Sequence, residues 1–129
     1  MPKSNFNGRD WVIKGQNHYL GNIRALFDAN TKGFDQELEI EGILEPEPTN
    51  AHDPNAVILR VRGYAVGYID QRIAADVKAQ IDSGIKVSCK LIWNRDPENP
   101  VVSVVIMSVK YALIITQQIL EFRVNHQYG

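Results

Sequence analysis

A chain of 129 residues, 44% hydrophobic and 22% charged, has the size and make-up of one globular domain with a real core. Fourteen basic residues against fifteen acidic ones give a net charge of -1. That balance excludes a broad basic surface for nonspecific phosphate binding and leaves room only for a small local one. One cysteine, Cys89, permits no internal disulfide and fits a reducing compartment. No segment approaches the length of a membrane span, and the first residues lack a signal-type apolar run, so the expected location is cytoplasmic.

Trp11 to Lys14 alternates and predicts a short strand with Trp11 and Ile13 on one face. Ile23, Leu26 and Phe27 fall at helical spacing within Asn22–Ala29, and Thr31-Lys32-Gly33 breaks that helix. From Glu37 to Leu44 the pattern alternates strictly, with Leu38, Ile40 and Leu44 facing one way and three glutamates the other. This predicts a half-buried strand with a bulge at Gly42. Val57, Leu59 and Val61 alternate with Ile58 and Arg60, and a tight turn at Arg62-Gly63 leads to a second strand over Ala65–Ile69.

Asp70 is placed to cap a helix running to Ser83, with Ile73, Val77 and Ile81 four apart and Gly84 as its stop. Val87, Cys89, Leu91 and Trp93 define one face of another strand. A polar turn over Asn94–Pro100 precedes Val101–Val109, apolar on both sides as a central strand is. Lys110–His126 mixes a helical stripe, Tyr111, Ile115, Ile119 and Phe122, with β-branched residues; a terminal helix is expected. The order β-α-β-β-β-α-β-β suits a mainly β chain folded as a small antiparallel barrel.

The polar run from Glu45 to Asn55 is the most informative stretch. Pro54 pushes Asp53 toward an extended backbone, and Asn and Asp hold turns by bonding the backbone two residues on. Two readings of Asn50, His52, Asp53 and Asn55 stand side by side, a set of turn pins and a binding site. A metal reading of His18, His52 and Asp53 lacks paired ligand spacing, and neither a metal nor another cofactor is expected. There is no G-x-S-x-G and no phosphate-binding loop, and Cys89 reads as a buried inert thiol, so no catalysis is expected. Trp11 and Trp93 read as core, Tyr68 as core or barrel rim. Arg9, Lys14, Arg24, Arg60, Arg62, Arg72 and Arg95 read as scattered surface charges.

The segment E-P-T-N-A-H-D-P-N-A-V, followed by a hairpin and V-G-Y, resembles the HIRAN domain signature. The resemblance begins near the G-Q-N-H-Y run at Gly15–Tyr19 and covers roughly Val12 to Met107. It implies a modified OB-like barrel with two helices, taken as residues 1–109, and leaves 110–129 as a helical extension, part of the same domain or a dimerisation element. It also implies capture of the 3′ end of single-stranded DNA. Rings stack on terminal bases whatever their identity, and a carboxylate accepts a hydrogen bond from the free 3′ hydroxyl.

Carried onto this chain, His18 and Tyr19 match the aromatic turn, His52 the position before the acid, Asp53 the hydroxyl-binding acid, and Tyr68 the position after V-G. Asn50 and Arg72 complete the candidate set. The basic residue expected at the start of the aromatic turn is Asn17 here, and those expected after V-G-Y are Asp70 and Gln71. The function implied is a non-enzymatic DNA-binding module acting in repair, replication or mobile-element biology. The rival reading is a protein-interaction domain that dimerises through residues 110–126. The acidic balance and the missing basic pair favour the rival, and the retained H-Y and H-D pairs favour DNA.

Overall fold

The computed structural model describes residues 5–30, 37–93 and 100–128, with side chains through residue 125. Within these, the elements run β1 (Asp10–Val12), α1 (Leu20–Asn30), β2 (Glu37–Pro46), β3 (Val57–Val61), β4 (Tyr64–Tyr68), α2 (Gln71–Gln80), β5 (Ile85–Ile92), β6 (Val101–Ser108) and α3 (Val109–Tyr128). A 3-10 turn over Gln16–Tyr19 leads into α1. The expected break at 31–33, most of the turn expected at 94–100, and Arg95 lie outside the described residues.

The strands form one antiparallel sheet in the order β1-β6-β5-β2-β3-β4. The sheet curls until its two edges meet. Lys14, just past β1, and Tyr68, at the end of β4, exchange both backbone hydrogen bonds at 2.9 and 2.8 Å. This is the small OB-like barrel that the strand pattern predicts. Of the eight residues that alternation directs inward, Val57, Leu59, Val61, Val87, Cys89 and Leu91 are buried. Leu38 and Ile40 are half-buried against the same core. The outward glutamates of β2 pair with lysines of β5, Glu37 and Glu39 with Lys90 and Glu41 with Lys86. Such exposed pairs contribute little, so the inward face sets the register.

The bulge expected at Gly42 is not there. β2 pairs with β5 up to Gly42 opposite Val87 and with β3 from Ile43 onward, so Gly42 is where the strand changes partner. A β-carbon at Gly42 would lie 2.7 Å from Leu59 Cδ1, which explains the glycine by close approach. The irregularity falls instead in the β3–β4 hairpin, between Leu59 and Arg60. That hairpin turns at Arg62 (φ 48°) and Gly63 (φ 86°), the paired positive φ values of a tight two-residue connection.

α1 starts two residues before the apolar spacing suggests and buries Ile23, Leu26 and Phe27. α2 buries Ile73, Ala74 and Val77, and the Asp70 side chain caps it by accepting from the Arg72 amide. It stops at Gln80 rather than Ser83, because the chain tightens into turn bonds from Ser83 to Gln80 and from Gly84 to Ile81. α3 is the expected terminal helix. Its first turn is held by Ser108 Oγ accepting from the Tyr111 amide. Tyr111 and Ile115 are half-buried, whereas Leu113, Ile119, Leu120, Phe122 and Val124 are exposed. Among the described residues no helix is long and apolar enough to cross a membrane.

Candidate nucleic-acid interface

The 3-10 turn that carries His18 and Tyr19 begins at Gly15, whose φ of 73° opens the left-handed bend. The His18 amide donates to the Gly15 carbonyl, and Asn22 Nδ2 donates to the Ala65 carbonyl, fixing the start of α1 to β4. This seats the turn against the end of the barrel. A β-carbon at Gly15 would lie 3.9 Å from His18 and 4.0 Å from the Tyr68 ring, so the imidazole and the phenol flank this glycine. The Tyr19 and Tyr68 rings sit 6.5 Å apart at 52°. His18 is exposed, and both tyrosines are half-buried.

A hydrogen-bonded chain runs from this aromatic pair into the polar turn. The Tyr68 hydroxyl donates to Glu47 Oε1 at 2.9 Å, and Asn50 Nδ2 donates to the same oxygen at 3.0 Å. Asn50 Oδ1 in turn accepts from the amides of His52 and Asp53. Asp53 Oδ1 accepts from the Asn55 amide at 2.8 Å, while Oδ2 has no hydrogen bond among the described residues. The turn-pin reading therefore holds for Asn50 and for one oxygen of Asp53. The same turn leaves the His52 side chain exposed.

Glu47, to which sequence reasoning assigned no role, is the hub joining Tyr68 to Asn50. Burial raises the Tyr68 phenol well above its ordinary range, helped by the neighbouring Tyr19 and by the bond to Glu47. The ring stays neutral at any physiological pH.

Arg72 lies in the first turn of α2, four residues after Tyr68. Its guanidinium binds Asp70 through two nitrogens, at 3.1 and 2.8 Å, and lies 5.7 Å from the Trp11 ring centre. Arg72 holds the buried Asp70 carboxyl down at about 2, against the opposing effect of burial. Lys14 Nζ is 4.0 Å from the same carboxylate. Arg9 lies 5.4 Å from the centre of the same Trp11 ring.

Arg9, Lys14, Arg24, Arg62 and Arg72 are exposed as surface charges are, but several have partners. Arg9 and Arg72 share Trp11, Arg24 sits 4.6 Å from Trp93, and Arg60 bonds Glu45 at 2.8 Å. Trp11 packs partly against the core and donates from Nε1 to the Phe6 carbonyl. Trp93 meets Phe27 edge-on at 5.6 Å. Cys89 is fully buried, and burial raises its thiol to about 12. No three His, Cys, Asp or Glu side chains gather into a metal site among the described residues.

A small antiparallel sheet curled until its edges meet at Lys14 and Tyr68 defines an OB-like fold. The HIRAN domain model matches residues 28–110, and the chain belongs to the HIRAN domain family, a family of DNA-binding modules. The matched stretch holds Asn50, His52, Asp53, Tyr68 and Arg72 and leaves out His18 and Tyr19. Among solved structures, the chain is similar to the HIRAN domain of human HLTF, at 15% identity over 90% of this chain and 88% of that one, with a TM-score of 0.49. No curated protein matches the chain.

Proposed function

We propose that this chain binds single-stranded DNA at a free 3′ end, without catalysis, in repair, replication or mobile-element biology. His18, Tyr19, His52 and Tyr68 offer rings to the terminal bases, Asp53 accepts from the 3′ hydroxyl, and Arg72 answers a phosphate. One observation carries the reading. The Tyr19–Tyr68 pair is tied through Glu47 and Asn50 to the turn bearing Asp53, whose Oδ2 is not spent on the turn. An internal phosphate would be repelled by that carboxylate, which favours an end over a continuous strand.

The test is binding of labelled oligonucleotides with free and 3′-phosphorylated ends. The free end binds more tightly, and Asp53→Ala removes the difference while leaving residual strand binding. Equal binding of both ends by the unaltered protein defeats the reading.

A second reading concerns assembly. The C-terminal helix α3 exposes Leu113, Leu120 and Val124, seven and four residues apart on one face, at more than half of their surface. Apolar residues so placed along one helix favour pairing with a second copy of the chain, since an isologous helix contact buries the same stripe twice. Sedimentation at high protein concentration tests it, and a monomer there refutes it.

A further inference from the structure

Three basic side chains gather around Asp70 and Trp11, starting from the Lys14 that faces Tyr68 across the seam, although the chain as a whole is slightly acidic. Lys14 and Tyr68 are directly opposed across the bridge that joins the sheet edges, so their side chains leave the same face. Beyond Lys14 come Asp70, then Arg72, then Trp11 and Arg9, each linked to the next by an ion pair or a ring contact. The side chains of Lys14 and Arg72 are 59% and 76% exposed, and Arg9 is exposed too. Strand alternation puts Asp10 on the other face from Trp11; among the described residues Asp70 is the carboxylate paired within the group, and Glu47 lies at its tyrosine end. Three cations against these two acids leave a small local excess of positive charge.

The indole is what makes this more than a loose cluster. It is half-buried and anchored by its own hydrogen bond to Phe6, and both guanidiniums rest on it. A flexible arginine loses much of its freedom on binding a phosphate; one already resting on a ring has lost part of it beforehand. The planar fork of Arg9 suits two phosphate oxygens at once, and Arg72, whose Nε and Nη2 hold Asp70, keeps its other terminal nitrogen for one.

We infer that Arg9 and Arg72, ordered by Trp11 and joined by Lys14, form a phosphate track for the nucleotides leading away from the tyrosine pair. The inference rests on the single-strand reading above and deepens it by assigning the path of the strand. Its chemical partner is the sugar-phosphate backbone of a strand several nucleotides longer than the captured end. Base identity has no part in it.

The experiment compares thymidine oligonucleotides of three and eight residues, fluorescently labelled at the 5′ end, across a salt series. The intact chain gains affinity with length, and log K falls with log salt at a slope near -1.4 to -2.1, about 0.7 for each phosphate met on a single strand. Arg9→Ala cuts the gain with length roughly three- to tenfold, the size of one such contact, and flattens the slope by about 0.7. Arg9→Lys retains the slope, which separates charge from fold, and thermal melting checks that each variant is folded. If the intact chain prefers a free end but Arg9→Ala changes neither length gain nor slope, the track is wrong and end capture stands. If the intact chain binds neither oligonucleotide, end capture fails and the track falls with it.

Discussion

Tyr68 and Glu47 meet by a single 2.9 Å hydrogen bond that joins the last barrel strand to the polar turn. The phenol therefore serves two structures at once, one ring face toward Tyr19 and one hydroxyl toward the turn. Tyr68→Phe keeps the ring and loses the bond. It should cost about 1 kcal/mol by chemical denaturation, the usual net worth of such a bond. A larger effect on 3′-end preference than on stability is expected, because the turn holding Asp53 loses one of its ties.

Tyr19→Ala removes a stacking ring while leaving the Glu47 link intact. A base–aromatic stack is worth about 1–3 kcal/mol, so affinity for a short single strand should fall roughly 5- to 150-fold. Fluorescence anisotropy measures this directly. Unchanged affinity would remove Tyr19 from the site.

Acid should weaken the fold through Asp70. Its carboxyl is held at about 2 in the folded chain, below its ordinary value, mainly by Arg72. A lowered folded value means the stabilisation is full above the unfolded range near pH 4 and is lost as pH falls toward 2. Arg72 is largely exposed, so solvent screening keeps the contribution small. Asp70→Asn should flatten this part of the pH profile in thermal melts, and an unaltered profile would show that the pair contributes nothing.

Leu113→Glu combined with Leu120→Glu places two charges on the exposed stripe of α3. Both leucines are more than half exposed, so the single chain should keep its melting temperature within a few degrees. A dimer built on this helix should dissociate, with sedimentation as the readout.

Much of the barrel is legible in the sequence. The alternation of β2, β3 and β5 gives their inward faces, because one side-chain period sorts core from solvent, and Arg62-Gly63 and Asp70 mark a hairpin and a helix cap. Gly42 misled because a bulge and a close approach ask for the same residue, and only the Leu59 contact separates them. The 3-10 turn at Gln16–Tyr19 has no periodicity long enough to register. In the site, the polar turn announced itself by residue type. The Glu47 hub and the arginine pair on Trp11 did not, since contacts between residues far apart in the chain leave no mark on local pattern.

The glycine of V-G-Y has its own account. Gly67 has a φ of 150°, and a β-carbon there would come within 2.3 Å of Ile13 and 2.8 Å of the Lys14 carbonyl. The backbone of Lys14 is the group that seals the barrel against Tyr68. Gly67→Ala should therefore pry the seam apart, at a cost of about 2 kcal/mol or more given a clash with backbone as well as side chain, with the loss concentrated in amide exchange at Lys14 and Tyr68. The motif by which such a domain is known is thus a requirement of closure. In this chain V-G-Y is a way of sealing a cylinder, and the side chains on either side of the seam, Lys14 and Tyr68, are what that seam presents to solvent.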